Sequence, residues 1–281
     1  MSEASSANIM PKHTPANKGL HLRPMNGRIG FNPNSVFPIS GSCMRSLKTF
    51  SAVALITVLS ACVQAPKKQA FNHEAAAHIK TVAIVQAPNQ ESYDVVILGH
   101  PGMSFGLIGG LVAAADMASK STDLNKAIDP AETRLQERFS AKLSEGLAKA
   151  GYVPNIVMLP KDAKEDQVLS LVKQQGNSGD AVLRINLSGA YWAAGPSTDY
   201  FPRLEAKVAA LEASSGNVLY EDTISYGYAM PNAQTVHLAS DSQYRFNDMS
   251  SLTQNPVKTR EGLYSGLDAI VAQIVADLKK N

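Results

Sequence analysis

The chain has 281 residues, with 26 Lys and Arg against 24 Asp and Glu and two cysteines, Cys43 and Cys62. Its slight basic excess belongs to the amino-terminal end: the first 61 residues hold six basic and one acidic residue, leaving 20 against 23 beyond them. No Lys/Arg cluster remains that could neutralise a row of phosphates, which argues against nucleic acid as a partner. Cys43 stands in a polar stretch and Cys62 at the end of an apolar run, so neither a disulfide framework nor a thiolate metal site is expected.

Residues 1–43 are rich in Asn, Pro, Ser and Gly without apolar periodicity. They read as an extension that carries no fold, either upstream of a true start at Met44 or a genuine disordered tail. Met44-Arg45-Ser46-Leu47-Lys48 is then basic, Phe50 to Leu59 apolar, and Ser60-Ala61 small. A hydrocarbon core takes roughly 20 apolar residues, so this run is too short for a permanent span. It reads as a removable signal, with an ordinary secretory signal or a buried helix as the alternatives.

With Leu59-Ser60-Ala61-Cys62 directly after that run, the segment resembles the lipobox of bacterial lipoproteins. The resemblance implies cleavage before Cys62, a diacylglyceryl group on its sulfur, and a fatty acid such as palmitate on the new amino terminus. Several acyl chains hold a protein on a membrane stably where one chain is marginal. Val63, in place of the Asp that favours inner-membrane retention in enterobacterial relatives, implies the periplasmic face of the outer membrane. Residues 44–61 are then the signal peptide, 62–79 a tether with Lys67 and Lys68 able to meet anionic headgroups, and 80–281 a periplasmic domain.

Within that domain, Thr81 to Val85 and Tyr93 to Leu98 are short β-branched runs that predict buried strands. A helix is expected to follow His100. Asp129-Pro130-Ala131-Glu132 is suited to start the next helix, with Leu135, Phe139, Leu143 and Leu147 on one face and Gly151 at its end. Tyr152 to Leu159 supplies a strand and Asp166 to Gln175 a short helix. From Asp180 the period becomes two: Leu183, Ile185 and Leu187 alternate with polar residues, as do Leu204, Ala206 and Val208. Val218 to Tyr226 returns after the Ser214-Ser215-Gly216-Asn217 turn as an antiparallel hairpin. Tyr191, Trp192, Tyr200 and Phe201 are assigned to a long loop, where exposed rings could anchor a partner, or else fold over the sheet edge. Pro231 to Pro256 is polar and reads as a second excursion. A closing helix from Pro256 to Lys280 carries Leu263, Leu267, Ile270, Val271, Ile274 and Leu278 on one stripe. The order predicts α/β (α+β) architecture: a single mixed-sheet sandwich with helices packed on the sheet.

Arg138, Phe139, Leu143 and Leu147 running into Gly151-Tyr152-Val153, then Asp180 to Leu183 and the Leu211 to Tyr220 hairpin, resemble small periplasmic α/β domains. These are found in the amino-terminal part of the TolB translocation protein and in curli-secretion-channel-type lipoproteins. The resemblance spans roughly 80–281 and implies a non-enzymatic envelope component that contacts other proteins. It transfers no ligand-binding residue.

Two motifs share one segment. Gly102-Met103-Ser104-Phe105-Gly106 has the Gly-x-Ser-x-Gly form of a hydrolase nucleophile elbow. Too little chain precedes it for that fold, and only His237, with Asp222 or Asp199, could complete a triad. We therefore expect no catalytic residue and no enzyme, with a membrane-tethered serine esterase using Ser104 as the alternative. The same stretch spaces Gly102, Gly106, Gly110, Ala114 and Ala118 four apart, with Phe105, Leu107, Ile108, Leu111 and Val112 opposite. Such a stripe serves close packing on the domain's own sheet, self-association into a homo-oligomer, or insertion into a bilayer. His73 and His78 lie five apart, off the spacing of paired helical ligands, and His100 stands alone; no metal and no cofactor is expected.

Overall fold

The computed structural model describes residues 67–161, 163–176, 179–230 and 235–280. The extension, the signal segment and Cys62 lie outside these residues. The strands are β1 (Thr81–Gln86), β2 (Asp94–Ile97), β3 (Val153–Met158), β4 (Ala181–Ala193), β5 (Tyr200–Glu212), β6 (Val218–Gly227) and β7 (Val236–Leu238). The helices are α1 (Gly106–Ile128), α2 (Pro130–Thr133), α3 (Leu135–Lys149), α4 (Val168–Gln174), α5 (Met249–Gln254) and α6 (Pro256–Asp277). The strands form one mixed sheet in the order β3-β1-β4-β5-β6-β7. β4 is long enough to hold two short strands in line on one edge: β1 pairs parallel with Ala181–Arg184 and β2 parallel with Ala190–Ala193. β5 covers the whole opposite edge of β4, antiparallel.

The period-two segments become strands because one face is buried. Leu183, Leu204, Ala206 and Ile224 turn inward beneath α3 and α6. Leu135, Phe139, Leu143 and Leu147 from α3 meet Leu263, Leu267, Ile270 and Ile274 from α6 in that core. Gly266 lets α6 approach the sheet, since a Cβ there would stand 2.5 Å from Cδ1 of Tyr226. Tyrosines tie the helix down: Tyr191 donates to the Thr259 carbonyl at 2.6 Å and Tyr152 to that of Leu278 at 2.7 Å. On the other face α4 places Val168 and Val172 over Ala83, Val85, Val157 and Val182 at one end of the sheet.

Four local expectations are corrected. The helix expected from Asp129 is divided: Asp129 caps the one-turn α2 by accepting from the Ala131 amide, and Arg134 is left-handed (φ 46°) before α3 begins. A non-glycine residue there costs on the order of 1–3 kcal/mol, which the buried faces on either side offset. The aromatic loop is shorter than expected, because β4 runs to Ala193 and β5 starts at Tyr200. Strand alternation buries Tyr191 and Tyr200 and turns Trp192 and Phe201 to the opposite face. The segment read as a tether is docked from Gln69 onward: Gln69 pairs antiparallel with Glu221, and Ala76 and Ile79 are buried. Pro231 to Pro256, expected as an excursion, contains β7 and α5, with 231–234 outside the described residues.

Candidate functional site: the projecting end of α1

Helix α1 is fixed to the domain through its second half. β2 pairs with β4 by one edge only, and the amides of its other edge are met by side chains of α1. Asn125 Oδ1 accepts from Tyr93 N at 2.7 Å, Ser121 Oγ from Val95 N at 2.8 Å, and Met117 Sδ from Ile97 N at 3.4 Å. Asn125 Nδ2 also donates to the Tyr93 carbonyl at 3.0 Å. Open strand edges need such cover. Leu124 and Ile128 complete the attachment in the core.

The first half of α1 runs past the end of β2 and leaves the domain. A 3-10 turn, Pro101–Phe105, folds back against it. His100 caps the turn, its Nδ1 accepting from Gly102 N at 3.1 Å. That bond makes Nε2 the protonated nitrogen, and Nε2 faces Asp116 Oδ2 at 3.3 Å. Lys120 also pairs with Asp116, and chiefly its hydrogen bond holds the Asp116 carboxyl below the usual range. Gly106 makes the hinge at φ 64° and ψ −151°, a conformation open to glycine. Gly102 and Gly109 form the closest contact, a Cβ on Gly109 falling 2.1 Å from the Gly102 carbonyl oxygen.

This geometry places each residue singled out in the sequence. The five-residue stripe is not one continuous face: the Gly106 hinge takes Gly102 off the helix, and the close approach joins Gly102 to Gly109. A Cβ at Gly106 or Gly110 would meet nothing within 4 Å, and Ala114 and Ala118 are exposed. These positions therefore do not pack on the sheet. Met103, Phe105, Leu107, Ile108, Leu111 and Val112 are all exposed, Leu107 by 82% and Ile108 by 79%. No Asp, Glu, Lys or Arg occurs between Asp94 and Asp116. Pro101–Ile128 is long and apolar enough to cross a membrane by length and composition, with a mean hydropathy of 1.3 and only 17% of that window buried.

Ser104 lies on the outer side of the 3-10 turn, and its backbone is not in the positive-φ region. The residues named as its partners are elsewhere. His237 stands on β7, 3.4 Å from Ser225 Oγ, and β2 and β7 are four strand spacings apart, about 19 Å. Asp222 faces Lys68 at 3.5 Å, and Asp199 pairs with Arg245. His78 faces Glu212 at 3.2 Å, and His73 meets the Phe71 ring edge-on. Among the described residues no group of three or more His, Cys, Asp and Glu is placed to hold a metal ion.

Sequence reasoning missed a feature on the second sheet face. The Arg203 guanidinium is buried beside Trp192, 5.3 Å from the ring centroid, and bonds Glu205 at 2.9 Å and the Tyr228 carbonyl at 3.3 Å. Phe201 and Trp192 both lie 6.2 Å from Tyr228. The alternation Trp192, Phe201, Arg203, Glu205 was the available signal.

No protein-family model matches the sequence, and no curated protein matches it. Among solved structures, the chain is similar to the PelC dodecamer from Paraburkholderia phytofirmans and to a variant of it, at 11% and 13% identity. The alignments cover 76% of this chain and 96% and 95% of those chains, with TM-scores of 0.31 and 0.29. Likenesses of that size do not establish a common fold.

Proposed function

We propose that the protein is a lipid-anchored component of the bacterial cell envelope that works by contact, in a structural or protein-interaction role, and not by catalysis. The carrying observation is the projecting end of α1 and the 3-10 turn folded against it, where six large apolar side chains stand in the open on a helix rooted in the core and on its turn. Exposed apolar patches of this kind mark surfaces made to meet something else. The anchor is supported by Leu59-Ser60-Ala61-Cys62 behind a basic and an apolar segment, and Val63 favours the periplasmic face of the outer membrane. A protein partner has a second surface available: among the described residues β3 is an edge strand, and it exposes Val153, Ile156 and Met158. Such an edge can accept an added strand.

Labelled palmitate should enter the protein in cells and be lost in Cys62→Ser; absence of label in the wild type overturns the anchor. Crosslinking in intact cells should recover an envelope protein through β3, and recovery of none removes the interaction role. Ser104→Ala should leave every phenotype unchanged, and loss of a hydrolytic activity in that variant would restore the esterase. Self-assembly is a second reading, favoured by the exposure of Ala114 and Ala118 and by the open space beside Gly110. It requires an oligomer that Gly110→Leu breaks; Gly106 is unsuitable for that test because its φ is positive.

A further inference from the structure

We propose that the projecting end of α1, from Met103 to Val112, is inserted into a lipid leaflet, the one that also holds the acylated Cys62. The second point of contact rests on the anchoring reading above; the insertion stands on the structure of the tip.

The surface has the chemistry of a lipid contact more than of a protein contact. Protein interfaces surround an apolar centre with a polar rim and carry about one hydrogen bond per 100–200 Å². Here the apolar side chains spread around a convex knob: Leu107, Ile108, Leu111 and Val112 cover a broad arc of the helix. Most backbone polar groups of the segment are bonded within the 3-10 turn and α1, as hydrocarbon requires; the exceptions are the first-turn amides of α1 beside the Gly106 hinge, which no side chain caps. Among the described residues, the open groove between α3 and α6, about 590 Å³, sets Lys142, Glu145, Lys149, Asp268 and Lys279 around its apolar lining, charges for which the tip of a second copy has no partner.

Length decides between inserting and spanning. Ten uncharged helical residues, 106–115, rise about 15 Å, half of a hydrocarbon core of about 30 Å. The rest of α1 is committed to β2 and the core through Met117, Ser121, Leu124, Asn125 and Ile128. One leaflet is therefore the depth available, with the Asp116–Lys120 pair at the level of the headgroups.

Cys62 is within reach of the same end of the sheet. Gln69 pairs antiparallel with Glu221, and Lys68 faces Asp222, one residue nearer the Gly227 end of β6. Gly227 lies opposite Arg203 near the start of β5, Tyr200 opposite Ala193, and Ala193 opposite Ile97, where the tip begins. Glu221 to Gly227 takes about 20 Å of strand, and the seven residues from Gln69 back to Cys62 reach at most about 25 Å. Trp192, Phe201 and Tyr228 stand at that end on the other face, and Trp and Tyr favour the headgroup region.

The test uses the full chain in bacterial cells, with a photoreactive phenylalanine replacing Phe105, Ile108 or, as a control on α4, the exposed Ser170. After irradiation, phospholipid adducts are expected at 105 and 108 and lost at 170. Adducts at 105 and 108 to a second copy or to another protein overturn the insertion, as does the absence of lipid adducts. Palmitate on Cys62 is scored in the same cells. Lipid adducts at 105 without palmitate overturn the anchor and leave the insertion, whereas palmitate without lipid adducts overturns the insertion alone.

Discussion

Two neighbouring glycines at the tip should respond to the same substitution with opposite sign. A Cβ on Gly109 would stand 2.1 Å from the Gly102 carbonyl oxygen and 2.6 Å from Cβ of Phe105, whereas ordinary contact begins at 3.4 Å. A Cβ on Gly110 meets nothing within 4 Å. Both residues lie inside α1 and neither has positive φ, so alanine gains roughly 1 kcal/mol of helix propensity at each. At Gly110 that is the whole effect, and Gly110→Ala should stabilise the protein by up to about 1 kcal/mol. At Gly109 the overlap is with backbone, which no side-chain rotation relieves, and overpacking costs about 1–3 kcal/mol or more. The least costly relief is to release the 3-10 turn, which is capped by the His100 to Gly102 bond, a contribution of about 0.5–1.5 kcal/mol. Helix α1 itself stays, because Leu124 and Ile128 hold its other half in the core. Gly109→Ala should therefore lose amide protection over residues 102–106 while Tm moves by about 2–4 °C or less. Hydrogen exchange and thermal melts on the two variants decide the matter: equal protection of 102–106 in both would refute the Gly102–Gly109 contact.

Asn125→Ala removes the partners of both the amide and the carbonyl of Tyr93 and should cost about 1–3 kcal/mol for each group left unsatisfied, measured by urea denaturation. Phe139→Ala empties the centre of the α3 face, where the ring is 2% exposed, and should cost about 3–5 kcal/mol in the same assay. The Asp180 carboxylate accepts from Thr81 N and Lys80 N at 2.8 Å each, and these bonds hold its carboxyl below the usual range. Its folded value is depressed, so its stabilising contribution is complete above about pH 4 and is lost as the pH falls through that lower value. Asp180→Asn should flatten the decline of stability in acid, and an unchanged acid limb in pH-dependent melts would remove this role.

The fold was legible wherever burial imposes a period. Leu183, Ile185 and Leu187 on β4 and Leu263 to Leu278 on α6 carry their periods openly, because one face meets the core. The Arg134 break was not legible: Arg is an ordinary helix former, and its left-handed conformation follows from how α1 and α3 both dock. The length of β4 and β5 was underestimated at Tyr191 and Tyr200 for a related reason. Aromatic residues beside Gly195-Pro196 suit a loop and suit strand ends equally, and only cross-strand register between Ala193 and Tyr200 separates the two.

The site was half visible, and its missing half explains where α1 leaves the domain. Spacing of four through Gly102, Gly106 and Gly110 assumed one unbroken helix, so the Gly106 hinge turned a supposed face into a fold-back. The informative residues were Met117, Ser121 and Asn125, also four apart, whose heteroatoms accept from alternate amides of β2. Four helical residues rise about 6.0 Å and two strand residues about 6.6 Å, so such a pairing drifts by about 0.6 Å at each step and cannot continue far. It serves Tyr93, Val95 and Ile97. The next position toward the tip, Ala113, has no acceptor to offer, while the Gly99 amide bonds the Ala194 carbonyl instead. Beyond that point α1 has no strand edge to cover and no core to enter, so its apolar residues are free for another medium.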